Sequence, residues 1–148
     1  MQITSKFTIA IHTLACIEYF NKTNKVTSEF ISNSTNVNPV IIRTILGQLK
    51  KAKIVSTRQG SGGAIITRAL DEINLFDIYN AVNSVSDEGL FSFHDSPNFN
   101  CPIGRNIKAS LSPKLEIIQK NMESDLKGIS LKEVIYDVIN KIGDEKNE

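Results

Sequence analysis

A glycine-rich hairpin placed directly behind three helical segments constrains this chain more than any other feature of it. Ile54-Val55-Ser56-Thr57 and Ala64-Ile65-Ile66-Thr67 are two short runs with Arg58-Gln59-Gly60-Ser61-Gly62-Gly63 between them. Runs of that kind around a glycine-rich turn predict two strands with a tight tip. Upstream, Ser5 to Phe20 carries Phe7, Ile9, Ala10, Ile11, Leu14, Ala15, Ile17 and Phe20, much of it recurring at three and four, and predicts a helix. The polar stretch Asn21–Lys25 breaks that helix. Thr27-Ser28-Glu29 offers a cap for a short second helix with Phe30 and Ile31 inward, and Asn33–Val37 reads as a turn. Asn38-Pro39 starts a third helix: Asn caps, and Pro at the first helical position has no N–H to leave unpaired. This helix is expected to run to about Lys53, with Val40, Ile41, Ile45, Leu46 and Leu49 able to face the core.

Beyond the hairpin, Asn74 caps a fourth helix from Leu75 to about Val85. Residues 86–100 are irregular and hold Gly89, Pro97 and the aromatics Phe91, Phe93 and Phe99. A long helix is expected from Pro102 to about Leu126. Along it Ile103, Ile107, Leu111, Leu115, Ile118, Met122 and Leu126 form one stripe at helical spacing. Pro113 sits inside this stripe and is expected to kink the helix or, with Ser112 as cap, to split it. Gly128 stops it, Ser130 caps a last helix to about Ile142, and Gly143–Glu148 is a polar tail expected to fray.

Hydrophobic residues make up 41% of the chain, enough for a normal core. No apolar run approaches the roughly 20 residues of a membrane span, and Met1–Lys6 lacks a signal-peptide pattern. A cytoplasmic protein without membrane contact is the expectation. The two cysteines, Cys16 and Cys101, cannot build a multi-bridge framework and are too few to hold a metal or iron–sulfur cluster alone.

The overall charge of +1 hides a division. Residues 1–70 carry nine basic and two acidic side chains, a net +7; residues 71–148 carry eight and fourteen, a net −6. A basic first half beside an acidic second half is the footprint of a module that binds a polyanion, or else a chance clustering of solvated charge.

Two short helices, a turn, a third helix and a hairpin give the order of a winged helix-turn-helix. The fold class expected is mainly α with a small β-hairpin wing and a long C-terminal dimerisation helix. The expected division is 1–85 for the DNA-binding domain, 86–101 for a sensing or linker segment, 102–142 for dimerisation helices and 143–148 for a tail. In this geometry the third helix enters the major groove, with Asn38, Pro39, Val40, Arg43, Thr44, Gly47 and Gln48 at its outward side or start. Arg43 is the candidate base reader, because its planar fork matches guanine O6 and N7; a solvated surface charge is the plainer alternative. Lys50, Lys51 and Lys53 would meet phosphates, and Lys6 joins the candidate DNA contacts. At the wing, Arg58, Gln59, Gly60, Ser61 and Gly62 could approach a narrow groove. The tip could equally be a plain tight turn. A nucleotide loop fits less well, since it lacks a Gly-Lys-Ser/Thr ending and opens no helix.

Ser5-Lys6-Phe7-Thr8-Ile9-Ala10-Ile11-His12, Asn38-Pro39-Val40-Ile41-Ile42-Arg43, the wing, Leu75-Phe76-Asp77-Ile78-Tyr79-Asn80-Ala81-Val82 and Cys101-Pro102-Ile103-Gly104 together resemble the Rrf-two family of bacterial winged-helix regulators. The resemblance runs from about residue 2 to 140. It implies a homodimer with a long crossed helix, an effector-sensing region just before it, and usually repression. A dimeric helix-turn-helix is expected to bind a palindromic double-stranded operator. Cluster-binding members carry three cysteines near Cys101, where this chain has one, so no iron–sulfur cluster or other cofactor is expected. The family's wing usually reads Arg-Gly-Pro-Gly-Gly; here it is Gln59-Gly60-Ser61-Gly62-Gly63, with Arg58 one place earlier.

Cys101 immediately precedes Pro102 at a helix start, where free N–H groups and the dipole favour a thiolate. It is the candidate sensor of oxidants or electrophiles, or else a partly buried capping thiol. Cys16 lies on an apolar helix face and reads as core; a Cys16–Cys101 disulfide would need Cα atoms within about 7 Å. His12 reads as a hydrogen-bonding side chain. Phe91, Phe93 and His94 could line an effector pocket, or be a loop histidine among hydrophobic anchors. Ile103, Ile107, Leu111, Leu115, Ile118 and Met122 are the candidate dimer contacts. The leading expectation is a dimeric repressor switched by a thiol or by a ligand in 86–101. A protein–protein adaptor built on a winged helix is the alternative from another class. No nucleophile–base pair, metal cluster or cofactor loop points to an enzyme.

Overall fold

The computed structural model describes residues 5–58, 60, 62–82 and 89–147. Within these, α1 (Ser5–Phe20), α2 (Ser28–Thr35) and α3 (Pro39–Lys51) are followed by β1 (Val55–Thr57) and β2 (Ala64–Ile66). A single 3-10 turn, Leu70–Glu72, leads into α4 (Leu75–Val82), α5 (Pro102–Lys127) and α6 (Leu131–Glu145).

Side-chain caps set the helix starts. The Thr27 hydroxyl accepts from the Phe30 N–H at 3.2 Å, and Asn38 Oδ1 accepts from the Val40 N–H at 2.8 Å, with Pro39 in the first turn. Each satisfies a donor that the helix itself cannot. Asn74 and Asp77 cap α4 reciprocally, at 2.9 and 3.1 Å. Ser130 and Glu133 form a capping box at the start of α6.

The helix ends differ from the sequence reading. α2 continues to Thr35, and Asn36 closes it in the left-handed conformation (φ 55°), its N–H donating to the Ser32 carbonyl at 2.9 Å. The turn between α2 and α3 is therefore shorter than the expected Asn33–Val37. α5 is one unbroken helix through Pro113, so Ser112 does not split it. α6 runs past Ile142 to Glu145, into the segment expected to fray. The expected end of α4 near Val85 lies outside the described residues.

Leu14 and Ile17 of α1, Ile31 of α2, and Ile42, Ile45 and Leu49 of α3 share one buried core with Ile54, Ile73 and Ile78. The inward face of α3 differs from the expectation: Ile42 is fully buried, whereas Val40 and Ile41 are exposed. Ile42, Ile45 and Leu49 step by three and four, so only that register lets all three face α1 and α2. The C-terminal helix returns to this core. Leu131 N–H donates to the Ile73 carbonyl at 2.7 Å and Leu75 N–H to the Ile129 carbonyl at 3.0 Å. Leu131 and Ile135 are thereby buried among the N-terminal helices.

The hairpin pairs antiparallel, Val55 with Ile66, Ser56 with Ile65 and Thr57 with Ala64. Val55 and Ala64 are buried, so the strands lean on the helices by one face.

Candidate nucleic-acid interface

The face of α3 opposite its buried side is exposed. Val40 is 61% exposed, and Asn38, Arg43, Thr44, Gly47, Lys50 and Lys51 are exposed beside it, with Pro39 half-exposed at the helix start. Thr44 donates to the Val40 carbonyl at 3.1 Å, which leaves its oxygen free to accept. A Cβ at Gly47 would meet nothing within 4 Å, so no contact within the chain requires a glycine there. Gln48 departs from the outward reading. It is half-buried, and its Oε1 is buried without a partner among the described residues.

The wing begins at Arg58, which is exposed and whose N–H donates to the Gly63 carbonyl at 2.8 Å. Gly60 and Gly62 take φ of 79° and 77°, a region that side chains with a Cβ rarely adopt. Gln59 and Ser61 lie outside the described residues. Lys6 stands half-exposed in the first turn of α1. The structure thus brings Arg43, Thr44, Lys50 and Lys51 onto one helix face, with Arg58 on the adjoining hairpin.

Two features of this surface were missed in the sequence. Arg43 Nη2 lies 2.6 Å from Glu29 Oε1 on α2. The Glu29 carboxyl is held below the ordinary carboxylate range by its own backbone N–H, then by Arg43 and Ser28. In addition, Lys22 and Lys25 meet Arg58 in a cleft at the base of the hairpin. The only sequence signal for it was the polar stretch Asn21–Lys25.

The sequence matches the Rrf2 family, described as iron-dependent transcriptional regulators, over residues 3–137. The chain belongs to the Rrf2 family. It is 39% identical over 133 residues to YwnA of Bacillus subtilis (strain 168), a protein assigned as an HTH-type transcriptional regulator; the match covers 90% of this chain and 96% of that one. A crystal structure of a protein assigned as DNA-binding is 34% identical, with a TM-score of 0.69 over 88% of this chain and 99% of that one. CymR, the global cysteine regulator of B. subtilis, shares the fold at 14% identity, with a TM-score of 0.66 over 92% of this chain and 97% of that one. Rrf2 members are DNA-binding transcription regulators rather than enzymes, and the winged helix-turn-helix here is the family's.

In this Rrf2 chain the segment before α5 packs back on it. Leu90 is buried, and its N–H donates to Gln119 Oε1 at 3.0 Å. Between residues 91–99 and α5 lies an open cavity of about 860 Å³, lined by the expected Phe91, Phe93 and His94 together with Phe99, Arg105 and Lys108. Cys101 is half-exposed at the N-cap of α5. The N–H groups of Gly104 and then Ile103 hold its thiol below the ordinary value, although neither makes a full capping hydrogen bond. A Cβ at Gly104 would overlap the Asn98 carbonyl oxygen, so glycine there allows the turn to close on the helix. Cys16 is buried, and its thiol donates to Ser34 Oγ at 3.3 Å. Burial pushes that thiol up. Both cysteines are free. His12 Nε2 is also 2.9 Å from Ser34 Oγ.

No residue of α5 is buried in the single chain. Of the expected stripe, Ile103 is 73% and Ile118 51% exposed, with Leu111 also exposed. Ile107, Leu115 and Met122 are half-buried. Ile117, outside the stripe, is 61% exposed and was missed. Among the described residues, no helix is long and apolar enough to cross a membrane.

Proposed function

We propose that this Rrf2 regulator is a cytoplasmic homodimeric repressor that reads a palindromic operator with α3. One observation carries the reading: α3 buries Ile42, Ile45 and Leu49 completely and leaves Val40, Arg43, Thr44 and Gly47 exposed on the opposite side, where Arg43 is paired to Glu29. In a major groove, Arg43 addresses a guanine edge and Val40 a thymine methyl, while Lys50 and Lys51 meet phosphates. Arg58, with Gln59 to Gly62, enters the adjoining groove. The apolar stripe Ile103–Met122 on α5 meets its counterpart in a second copy. Of the expected segments, 1–85 reads DNA, 86–101 senses, and 102–142 joins the copies, with the first turns of α6 also anchoring the core.

Footprinting on the chain's own promoter is expected to show half-sites about one or two helical turns apart. Arg43→Ala is expected to remove the preference for that promoter. Equal binding of wild type to promoter and random DNA at moderate salt would overturn the reading and favour an adaptor.

We assign the signal to Cys101, whose thiol is half-exposed and activated at a helix start. A resident iron–sulfur cluster does not fit these residues. Such clusters are held by several thiolates, and here Cys101 stands without a second cysteine in its segment while Cys16 is buried against Ser34. A second reading, a small-molecule signal, rests on the cavity beside Phe91, Phe93 and His94. Release of DNA by oxidant in wild type but not in Cys101→Ser supports the thiol; release in both supports the cavity.

A further inference from the structure

We propose that the cleft between the α1–α2 connection and the base of the hairpin is a seat for a DNA backbone phosphate. It rests on the reading of α3 and the hairpin as the DNA-facing surface. The cleft holds about 240 Å³ and is lined by Lys22, Lys25 and Arg58 with no carboxylate among its lining residues. None of the three cations takes part in an ion pair among the described residues. Three uncompensated positive charges around one concavity focus potential on an anion, and a phosphodiester is the anion a DNA-facing surface meets.

The walls are fixed by backbone rather than by side chains. The Ala64 N–H donates to the Val26 carbonyl at 3.0 Å, which ties β2 to the connection. On the other side, the N–H groups of Thr23 and Asn24 donate to the Phe20 carbonyl at 3.1 and 2.9 Å. A Cβ at Gly63 would stand 3.4 Å from Val26 N, so the hairpin closes on the connection to the limit of contact. Thr23 Oγ1 donates to Asn24 Oδ1 at 2.9 Å, which leaves the Asn24 amide N–H groups for a ligand in the cleft. Lys22 and Lys25 sit on the connection that the Ala64–Val26 backbone bond ties to the hairpin carrying Arg58. The cost of gathering charge is thereby met in folding, before DNA arrives.

Place in the fold decides which phosphate. β1 follows α3 and packs on it, whereas β2 packs on α1 and pairs with Val26. The cleft therefore flanks the hairpin on the side away from α3. With α3 in the major groove and the hairpin tip in the neighbouring groove, the cleft meets the backbone on the far side of that groove. Contacts there carry affinity without sequence preference.

The test uses the full chain with Lys22→Ala, Lys25→Ala and the double substitution. Lys141→Ala, an exposed α6 lysine outside the cleft lining, and Arg43→Ala are the references. Affinity for a promoter duplex and for a mixed-sequence duplex is measured across a salt series. Each cleft substitution that loses a phosphate is expected to weaken both duplexes by the same factor and to lower the log–log salt slope by about 0.9. If the double variant keeps wild-type affinity and slope while Arg43→Ala loses promoter preference, the cleft proposal fails and the α3 reading stands. If Arg43→Ala also changes nothing, the α3 reading fails with it. Inorganic phosphate is titrated separately by calorimetry. Saturable phosphate binding that the double variant abolishes, without change in DNA affinity, would assign the cleft to a free phosphoryl ligand and overturn the DNA assignment.

Discussion

The guanidinium of Arg43 is held 2.6 Å from the carboxylate of Glu29, across the turn that joins α2 to α3. The pair sits in water, with each side chain more than half exposed. It occupies Arg43 Nη2 and leaves other guanidinium N–H groups unengaged by Glu29. On the proposed reading of α3 as the DNA-facing helix, Glu29 orients Arg43 and also places a negative charge near incoming phosphates. Glu29→Gln is expected to raise affinity for mixed-sequence DNA and to lower the promoter-to-random ratio, each by a few-fold, as befits an exposed pair. Competition binding with both duplexes checks this; an unchanged ratio would show that Glu29 does not orient Arg43. The pH sign follows from the depressed Glu29 carboxyl. Its folded-state value lies below the unfolded one, so its stabilisation is present above the ordinary carboxylate range and is lost as pH falls through the folded value. Near neutral pH the pair is intact, and Glu29→Gln should remove pH dependence only in the acid range.

Gly47 lies in the middle of α3 with open space around it. A glycine in a helix interior costs about 0.5–1 kcal/mol relative to alanine. Nothing inside the chain requires that loss. On the proposed reading, a close approach of α3 to the groove floor would, since Gly47 shares the outward face with Thr44 and Lys51. Gly47→Ala is expected to raise unfolding free energy by about 0.5–1 kcal/mol in urea titrations while weakening promoter binding. A gain in stability with no loss of binding would place this part of α3 away from DNA.

The chemistry that begins helices was readable, because a cap is local. Thr27, Asn38, Asn74 and Ser130 each accept the hydrogen bond that their residue type suggests. The order of helices and hairpin follows from those starts together with apolar spacing. The inward face of α3 was less readable, since Val40, Ile41 and Ile42 are three apolar residues in a row. Which of them is core depends on where α1 and α2 lie, and packing chose Ile42. Glu29 and Arg43 meet only because the left-handed Asn36 turns the chain between their helices. The Lys22–Lys25–Arg58 cleft likewise exists only through the pairing of Ala64 with Val26. The exposure of the outward face of α3 was legible from spacing, apart from Gln48, but the pairing of Arg43 with Glu29 was not.

α5 has no buried residue in the single chain, yet it displays Ile103, Leu111, Ile117 and Ile118. Water would have to cover that surface unless a second copy does. Full burial of one such side chain is worth about 1.5–3 kcal/mol. Placing a charge there should therefore dissociate the proposed dimer. Ile118→Asp is expected to shift sedimentation from dimer to monomer at micromolar protein, leave the helical circular dichroism of the core largely intact, and reduce promoter affinity sharply by separating the two reading helices. A variant that remains dimeric would move the interface off this face of α5.

The two cysteines are set apart by their surroundings, and that difference is measurable. Burial raises the Cys16 thiol and hides it, whereas the helix-start N–H groups of Gly104 and Ile103 lower the Cys101 thiol. At a pH below the ordinary thiol range, Cys101 is expected to react with iodoacetamide first, in a pH–rate profile whose midpoint lies below that of a free cysteine. Gly104→Ala tests the cause. Its new Cβ would collide with the Asn98 carbonyl, which accepts the Cys101 N–H at 3.1 Å. Displacing that turn moves the sulfur off the helix start, so the midpoint should rise towards the free value while Cys16 stays unreactive. If the midpoint is unchanged, the N–H groups at the start of α5 are not what activates Cys101.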